Sequence, residues 1–363
     1  MANTILKNVK IKGVAIVVGE NQHIFDNEPE YYNHDQTQLG KLKKMIGFDT
    51  RYVANSTTTT LDLCEAAAKR LISALNIDIL SIDAIISATQ TPDYYMPGNA
   101  HIIHRNLGCR KDTIAYDIEL GCSGYIYGLW TAGLMINAGL KRVLLVTGDT
   151  LSRCANAKDR TEAPLFGDAG SATIIDFDEK VSETFFILKS DGNGVENMLQ
   201  PAGAYRTPST DETRRDVEDD SGNVRNQENI YMNGFEIFNF TLTEQPKLLK
   251  EILEFSNLTK DEIDYFVLHQ ANVYIVETIL KKAKIPFEKA PTKIFARYGN
   301  QNSASIPSAI CADLSNKFCN GSKKVLMQGF GIGLSWGACV TEFDDNILCL
   351  KPCVYGDKNE RQV

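Results

Sequence analysis

Short apolar runs constrain this chain most: residues 84–88 (AIISA), 143–147 (VLLVT), 172–177 (ATIIDF), 265–268 (YFVL) and 325–328 (VLMQ). Alternation of apolar and polar residues marks a strand with one wet face. These runs are apolar almost throughout, so their strands are covered on both faces. Between them lie stretches with helical spacing at 61–75, 97–107, 272–283 and 303–318, and a long apolar helix running to Ala138. Buried strands interleaved with helices predict an α/β protein with covered sheets. With 363 residues, 43% of them hydrophobic, the chain has enough apolar material for a large core.

A faint internal repeat divides that pattern. VLLVTGD followed by GSATIIDF in the first half is echoed by VLMQGFG followed by SWGACVTEF in the second. Each half also sets a glycine- and serine-rich turn before a small-residue helix, at 121–133 (GCSGYIYGLWTAG) and 299–312 (GNQNSASIPSAICA). Two similar halves facing each other bring both turns into one central cleft; chance similarity is the competing reading. The expected division is 1–178, 179–345, and a tail at 346–363. The run 205–228 (YRTPSTDETRRDVEDDSGNVRNQE) has almost no apolar content. It is expected as a solvated loop, or alternatively as a lid.

The formal net charge of −8 argues against non-specific nucleic-acid binding, which needs a basic surface, but leaves room for a local basic patch for an acidic protein partner. The opening segment MANTILKNVKIKGVAIVVGE lacks the apolar core of a signal peptide, and no run approaches the ~18 apolar residues of a membrane span. A soluble cytoplasmic protein is expected. The nine cysteines are irregularly spaced and contain no CxxC pair, so neither a disulfide framework nor a zinc site is predicted.

Three segments carry candidate chemistry. In DIELGCSGY, Cys122 follows a strand and a glycine turn and precedes a long helix. Helix N–H groups and the helix dipole there favour a thiolate, and the flanking glycines admit backbone donors to an oxyanion. A buried structural cysteine is the alternative. In DYFVLHQAN, His269 ends an apolar strand, where α/β proteins meet ligands; a satisfied core histidine is the alternative. In YGNQNSASIP, Asn300 reads either as a turn or cap residue or as a neutral donor facing a cleft. His101 and His104 lack accompanying metal ligands, and His23 and His34 carry no signal, so no metal site is predicted.

Together and in this order, these segments resemble the β-ketoacyl-acyl carrier protein synthase III family of thiolase-superfamily condensing enzymes. ATQTPDYYMP (88–97), LFGDAGSA (165–172) and GFGIGLSWGA (329–338) extend the resemblance over nearly the whole chain. It implies two pseudo-symmetric halves in a five-layered α-β-α-β-α fold and a Cys122–His269–Asn300 triad. Cys122 would take the acyl group from acyl-CoA. Malonyl-acyl carrier protein would then lose carbon dioxide, with His269 and Asn300 donating to its thioester oxygen. The backbone N–H groups of Cys122 and Ile332 would form an oxyanion hole. The resemblance also implies a homodimer with Met96 lent to the partner's acyl pocket, contacts from Arg160, Lys41 and Phe330 to substrate or CoA, and carrier-protein docking at Lys281 and Lys282. No cofactor is implied beyond the two substrates.

The chain also departs from the family pattern. Lys41 stands where relatives stack the CoA adenine on a tryptophan, Tyr274 replaces a carrier-docking arginine, and Ile332 replaces a glycine. Acyl transfer to an oxygen or nitrogen acceptor is therefore an alternative, as is a silent subunit. The pair His269 and Asn300 favours condensation, because an enolate needs both donors.

Overall fold

The structure, a computed structural model, describes residues 2–29 and 35–357; His34 and residues 358–363 lie outside them. Its first sheet has six strands in the order β17 (Leu348–Val354), β2 (Val9–Val18), β8 (Ala169–Phe177), β7 (Arg142–Asp149), β5 (Ala84–Ala88) and β6 (Ile114–Ile118). The second has five: β1 (Ala2–Leu6), β9 (Thr184–Ser190), β16 (Ser335–Phe343), β15 (Lys323–Gly331) and β14 (Tyr265–Leu268). The repeat read in the sequence is a repeat of topology. VLLVTGD and GSATIIDF form the antiparallel pair β7–β8, while VLMQGFG and SWGACVTEF form the antiparallel pair β15–β16. Each pair is flanked by one parallel strand, β5 beside β7 and β14 beside β15.

Helices α4 (Gly124–Asn137) and α8 (Ser305–Ala309) lie between the sheets; α4 packs on β7 and β15, and α8 on β2 and β14. Helices α2 (Thr60–Ala74) and α3 (Asn99–Leu107) cover the outer face of the first sheet, and α5 (Gly234–Ser256) and α6 (Val273–Ala283) that of the second. The five layers α-β-α-β-α follow. The composition of α4 explains its place. No charged residue occurs from Gly121 to Leu140, and a helix apolar on every side needs cover on every side. Gly128 admits Leu145 of the first sheet: a Cβ there would fall 2.6 Å from the Leu145 side chain.

The sheets are tied by exchanged edge strands. β1 begins the first half of the chain yet pairs antiparallel with β9 of the second sheet. The segment 346–363, expected as a tail, supplies β17, which pairs parallel with β2 of the first sheet. An open edge leaves backbone N–H and C=O groups unpaired, and each exchanged strand satisfies such an edge. The expected helix 303–318 is not continuous. A 3₁₀ turn (Asn302–Ala304) precedes α8, and a π turn (Ile310–Leu314) follows it. Asn302 has φ 49°, in the left-handed region, so a right-handed helix starts only after it.

The charged run 205–228 forms a loop with a two-strand ribbon, β11 (Val217–Glu218) and β12 (Val224–Arg225). It is pinned to the segment around 159–162 by Arg225, 2.9 Å from Asp159, and by Arg160, which donates to the Ser221 carbonyl. Two further ribbons are β3 (Asn21–Ile24) with β4 (Thr50–Val53), and β10 (Met198–Leu199) with β13 (Tyr231–Met232). Helices α1 (Gln36–Ile46) and α7 (Ile294–Tyr298) complete the fold. No helix among the described residues is long and apolar enough to cross a membrane.

Candidate active site

Cys122 sits in the turn between β6 and α4, just ahead of the helix. Both its neighbours in space and its neighbour in sequence must be small. A Cβ on Gly121 would lie 2.1 Å from Gln90 Oε1 and 2.8 Å from Asn302 Oδ1. A Cβ on Gly331, at the end of β15, would lie 2.9 Å from Cys122 Sγ. The thiol is therefore enclosed by two close backbones. Its Sγ donates to Asn302 Oδ1 at 2.8 Å. Burial pushes the thiol up to about 12, with the Asp149 carboxylate adding to the effect and the Cys122 N–H opposing it. The helix N-terminus favours a thiolate, but desolvation outweighs it and the thiol rests protonated.

His269 extends β14 by one residue: its N–H bonds the Gln328 carbonyl at 2.8 Å, and the side chain is buried at the strand's carboxyl end. Its Nδ1 lies 2.6 Å from Ser305 Oγ, at the start of α8. The Gln270 N–H donates to that same oxygen at 3.4 Å. Ser305, while accepting from Gln270, can still give its own hydrogen to Nδ1, in which case the imidazole carries its proton on Nε2. Burial lowers His269 to about 3, so the ring is neutral. Phe330 packs edge-on against it, with ring centroids 5.2 Å apart.

Asn300 follows α7 and is fixed through its backbone. Its N–H bonds the Leu165 carbonyl at 2.8 Å, and its carbonyl accepts from Gly167 N–H at 3.1 Å. That contact explains the glycine of LFGDAGSA, since a Cβ on Gly167 would fall 1.8 Å from the Tyr298 carbonyl oxygen. Asn300 Oδ1 accepts the Asn302 N–H at 3.0 Å, which leaves its Nδ2 free to donate.

One cavity is lined by Cys122, His269, Asn300 and Phe330, with Met198 and Met232 on the β10–β13 ribbon. Ile332 borders it through an apolar cluster with Phe166 and Met198. The other predicted residues stand apart. Arg160 is engaged with Ser221, Lys41 is exposed on α1, Met96 is exposed on the loop before α3, and Lys281 and Lys282 are exposed on the last turn of α6. Among the described residues, none of these five and none of 205–228 lines the cavity. His104 Nε2 bonds the Arg110 carbonyl at 2.7 Å, a structural role, and His23 bonds Glu28. No group of three or more His, Cys, Asp or Glu suited to a metal occurs among the described residues.

Three functional neighbours escape a reading of the motifs: Asn302, Ser305 and Asp149. The first two belong to the GNQNSAS turn and reach the site only because that turn folds back on Cys122 and His269. Asp149 ends β7, and its carboxylate takes the Ser303 N–H at 3.3 Å and Ser303 Oγ at 2.6 Å, tying the turn to the first sheet.

Comparison with known proteins agrees with this geometry. The family model described as 3-oxoacyl-[acyl-carrier-protein (ACP)] synthase III matches residues 116–192, and the model of its C-terminal part matches 253–343. A putative 3-oxoacyl-[acyl-carrier-protein] synthase 3 of Campylobacter jejuni is 39% identical over 93% of this chain and 94% of its own. A β-ketoacyl-[acyl-carrier-protein] synthase III of Clostridium perfringens is 32% identical over 92% and 99%. The crystal structure of a 3-oxoacyl-(acyl-carrier protein) synthase from Burkholderia xenovorans superposes with a TM-score of 0.89 at 34% identity, covering 96% of this chain and 98% of that one. On the matched models, the identity over nearly full length and the shared fold, the chain belongs to the 3-oxoacyl-[acyl-carrier-protein] synthase III family of condensing enzymes.

Proposed function

We propose that the chain joins an acyl group from acyl-CoA to malonyl-acyl carrier protein by decarboxylative condensation, with Cys122 carrying the acyl group. The observation that carries this reading is the convergence of one thiol and two neutral donors, Cys122, His269 and Asn300, on one cavity. In the first step Sγ attacks the acyl-CoA thioester. The Cys122 S–H and the thioester C–S bonds break, a new Sγ–C bond forms, and the proton leaves on the CoA thiol. In the second, malonyl thioester loses carbon dioxide, and its enolate oxygen is held by His269 Nε2–H and Asn300 Nδ2–H. The enolate carbon attacks the acyl-enzyme, a carbon–carbon bond forms as the Sγ–C bond breaks, and the Cys122 thiolate leaves and takes a proton from water. The tetrahedral oxyanion rests on the backbone N–H groups of Cys122 and Ile332. Neutral donors suit this role, because an enolate gains charge in the transition state and preorganised dipoles stabilise it there. These steps balance without a cofactor. Transfer to an oxygen or nitrogen acceptor requires no enolate and leaves the paired donors unexplained.

The same reading assigns the outer residues. Arg160 and Lys41 meet the CoA end of the donor. Lys281 and Lys282 guide an acidic carrier protein; Lys282 also borders a groove between α5 and α6 with Lys250, Lys260 and Lys284. Tyr94, Tyr95 and Met96 form a consecutive exposed apolar run, which suits the interface of a cytoplasmic homodimer. Intact-mass measurement with a series of acyl-CoAs tests the chemistry: a thioester adduct mapped to Cys122 is expected, and Cys122→Ala should abolish it. Adding malonyl-acyl carrier protein should release carbon dioxide. A folded protein that gains no mass from any short, medium or aromatic acyl-CoA overturns the reading.

A further inference from the structure

Asn302 is placed with unusual specificity for a residue in a turn. Its side chain is buried, its backbone is held at φ 49°, and its Oδ1 is the hydrogen-bond acceptor of the nucleophile, 2.8 Å from Cys122 Sγ. Its own N–H occupies Asn300 Oδ1 at 3.0 Å. One residue therefore touches the thiol with its side chain and orients the enolate donor with its backbone. The other half of its amide has no such employment. Nδ2 is buried without a hydrogen-bond partner among the described residues, and it lies against Gly121, beside the similarly unpartnered Oε1 of Gln90. A buried polar atom left unpaired costs stability and calls for an explanation in the working of the site.

Resting on the reading of Cys122 as nucleophile, we propose that Asn302 is a fourth catalytic residue, whose side-chain amide accepts from the Cys122 thiol at rest and turns over to donate Nδ2–H to the thiolate. Rotation about the last side-chain torsion of asparagine is soft and two-fold, so it exchanges Oδ1 for Nδ2 at nearly the same point without moving the backbone. The resting bond stabilises the thiol and the turned bond stabilises the thiolate. Charge-assisted hydrogen bonds are about twice as strong as neutral ones, so the net effect favours ionisation. Ionisation passes the S–H proton to water, the thiolate attacks the thioester, the departing CoA thiolate takes a proton back from water, and the new thioester sulfur no longer needs a donor. The left-handed backbone is what aims the amide, and asparagine is among the few residues other than glycine that adopt it readily.

The charged and titratable groups on the surrounding elements do not confuse a measurement at pH 8. His269 on β14 is neutral, held near 3. Asp149 on β7 is raised to about 6 and so is ionised. Glu119, next to the turn, accepts from Gln90 Nε2 at 3.0 Å.

The test is the rate of iodoacetamide alkylation of Cys122 at pH 8, with no acyl donor present and the adduct mapped by peptide mass. Asn302→Asp, measured beside the uncharged Asn302→Gly, keeps the shape and the one acceptor oxygen but turns the donor into a second acceptor and adds negative charge. Each is expected to slow alkylation about tenfold or more, the factor that corresponds to losing one charge-assisted bond. Asn302→Ser retains an O–H donor and should recover part of the rate. A residue that only fills space predicts lower thermal stability with no change of rate in the uncharged variant, so a folded Asn302→Gly alkylated within twofold of the native protein overturns the proposal. Asn302→Gly suits the positive φ and so is expected to fold. Because no acyl donor is used, this outcome is independent of whether the native protein is acylated by any acyl-CoA.

Discussion

At the residue scale, the site is a case of polarity managed by burial. Cys122 and His269 are both desolvated, and both are held in their neutral forms, up to about 12 and down to about 3. A histidine lowered that far is a poor base for the cysteine, which agrees with the donor role proposed for it. Asn300→Ala should leave Cys122 acylation intact and lower condensation on the order of 10²–10³-fold, the usual cost of one preorganised donor; stopped assays of the two half-reactions separate them. His269 also carries a stability signature. Its folded pKa lies below the unfolded value of 6.5, so its contribution is present above pH 6.5 and is lost as pH falls toward about 3. Thermal midpoints measured from pH 7 to pH 4 should fall less steeply in His269→Asn than in the native protein. The motifs made it legible that Cys122, His269 and Asn300 meet, and they do line one cavity. The contact of Asn302 with Cys122 was not legible, because it depends on a left-handed turn that brings positions 122 and 302 together.

At the element scale, α4 places the nucleophile by having no face suited to water. Leu129→Ala should cost about 2–5 kcal/mol, since the cavity would open between two rigid sheets; denaturant titration measures it. The loop bearing Arg160 is governed by a different balance. Glu162 is buried there, and desolvation, with Asp159 adding repulsion and Arg225 opposing it, raises it to about 8. A raised carboxyl contributes stability below its unfolded pKa of 4.5, and that contribution is lost as pH rises through about 8. Glu162→Gln should therefore raise the thermal midpoint relative to the native protein at pH 9, and by much less at pH 5. The strands at 84–88 and 265–268 were read with their observed bounds, because a fully buried strand is marked at every residue. The segment 303–318 was misread as one helix, because apolar content records burial and is blind to the left-handed turn at its start.

At the scale of the whole molecule, the exchanged edge strands make the two halves one unit. Removing residues 345–363 takes away β17 and bares the edge of β2 along Gly13–Val18. The truncated protein should show a lower thermal midpoint and concentration-dependent association by light scattering, and a native-like monodisperse profile would count against this account. Charge acts at the same scale. The protein is acidic overall, with net charge −8, yet lysines gather at the end of α6 and along the neighbouring groove. Lys281→Glu with Lys282→Glu should raise KM for malonyl-acyl carrier protein several-fold with little change in kcat, and added salt should raise KM of the native enzyme in the same way.

The sequence by itself determined the layers, the doubled hairpin and the three chemistry-bearing motifs. Each is written locally, in apolar runs, glycine turns and side-chain types. Only the tertiary structure decided which strands close the two sheets, which hydroxyl His269 meets, and which residue meets the thiol. Those depend on partners far apart in the chain, such as β2 with β17, His269 with Ser305 and Cys122 with Asn302, and on the desolvation that appears only when the sheets close over the site.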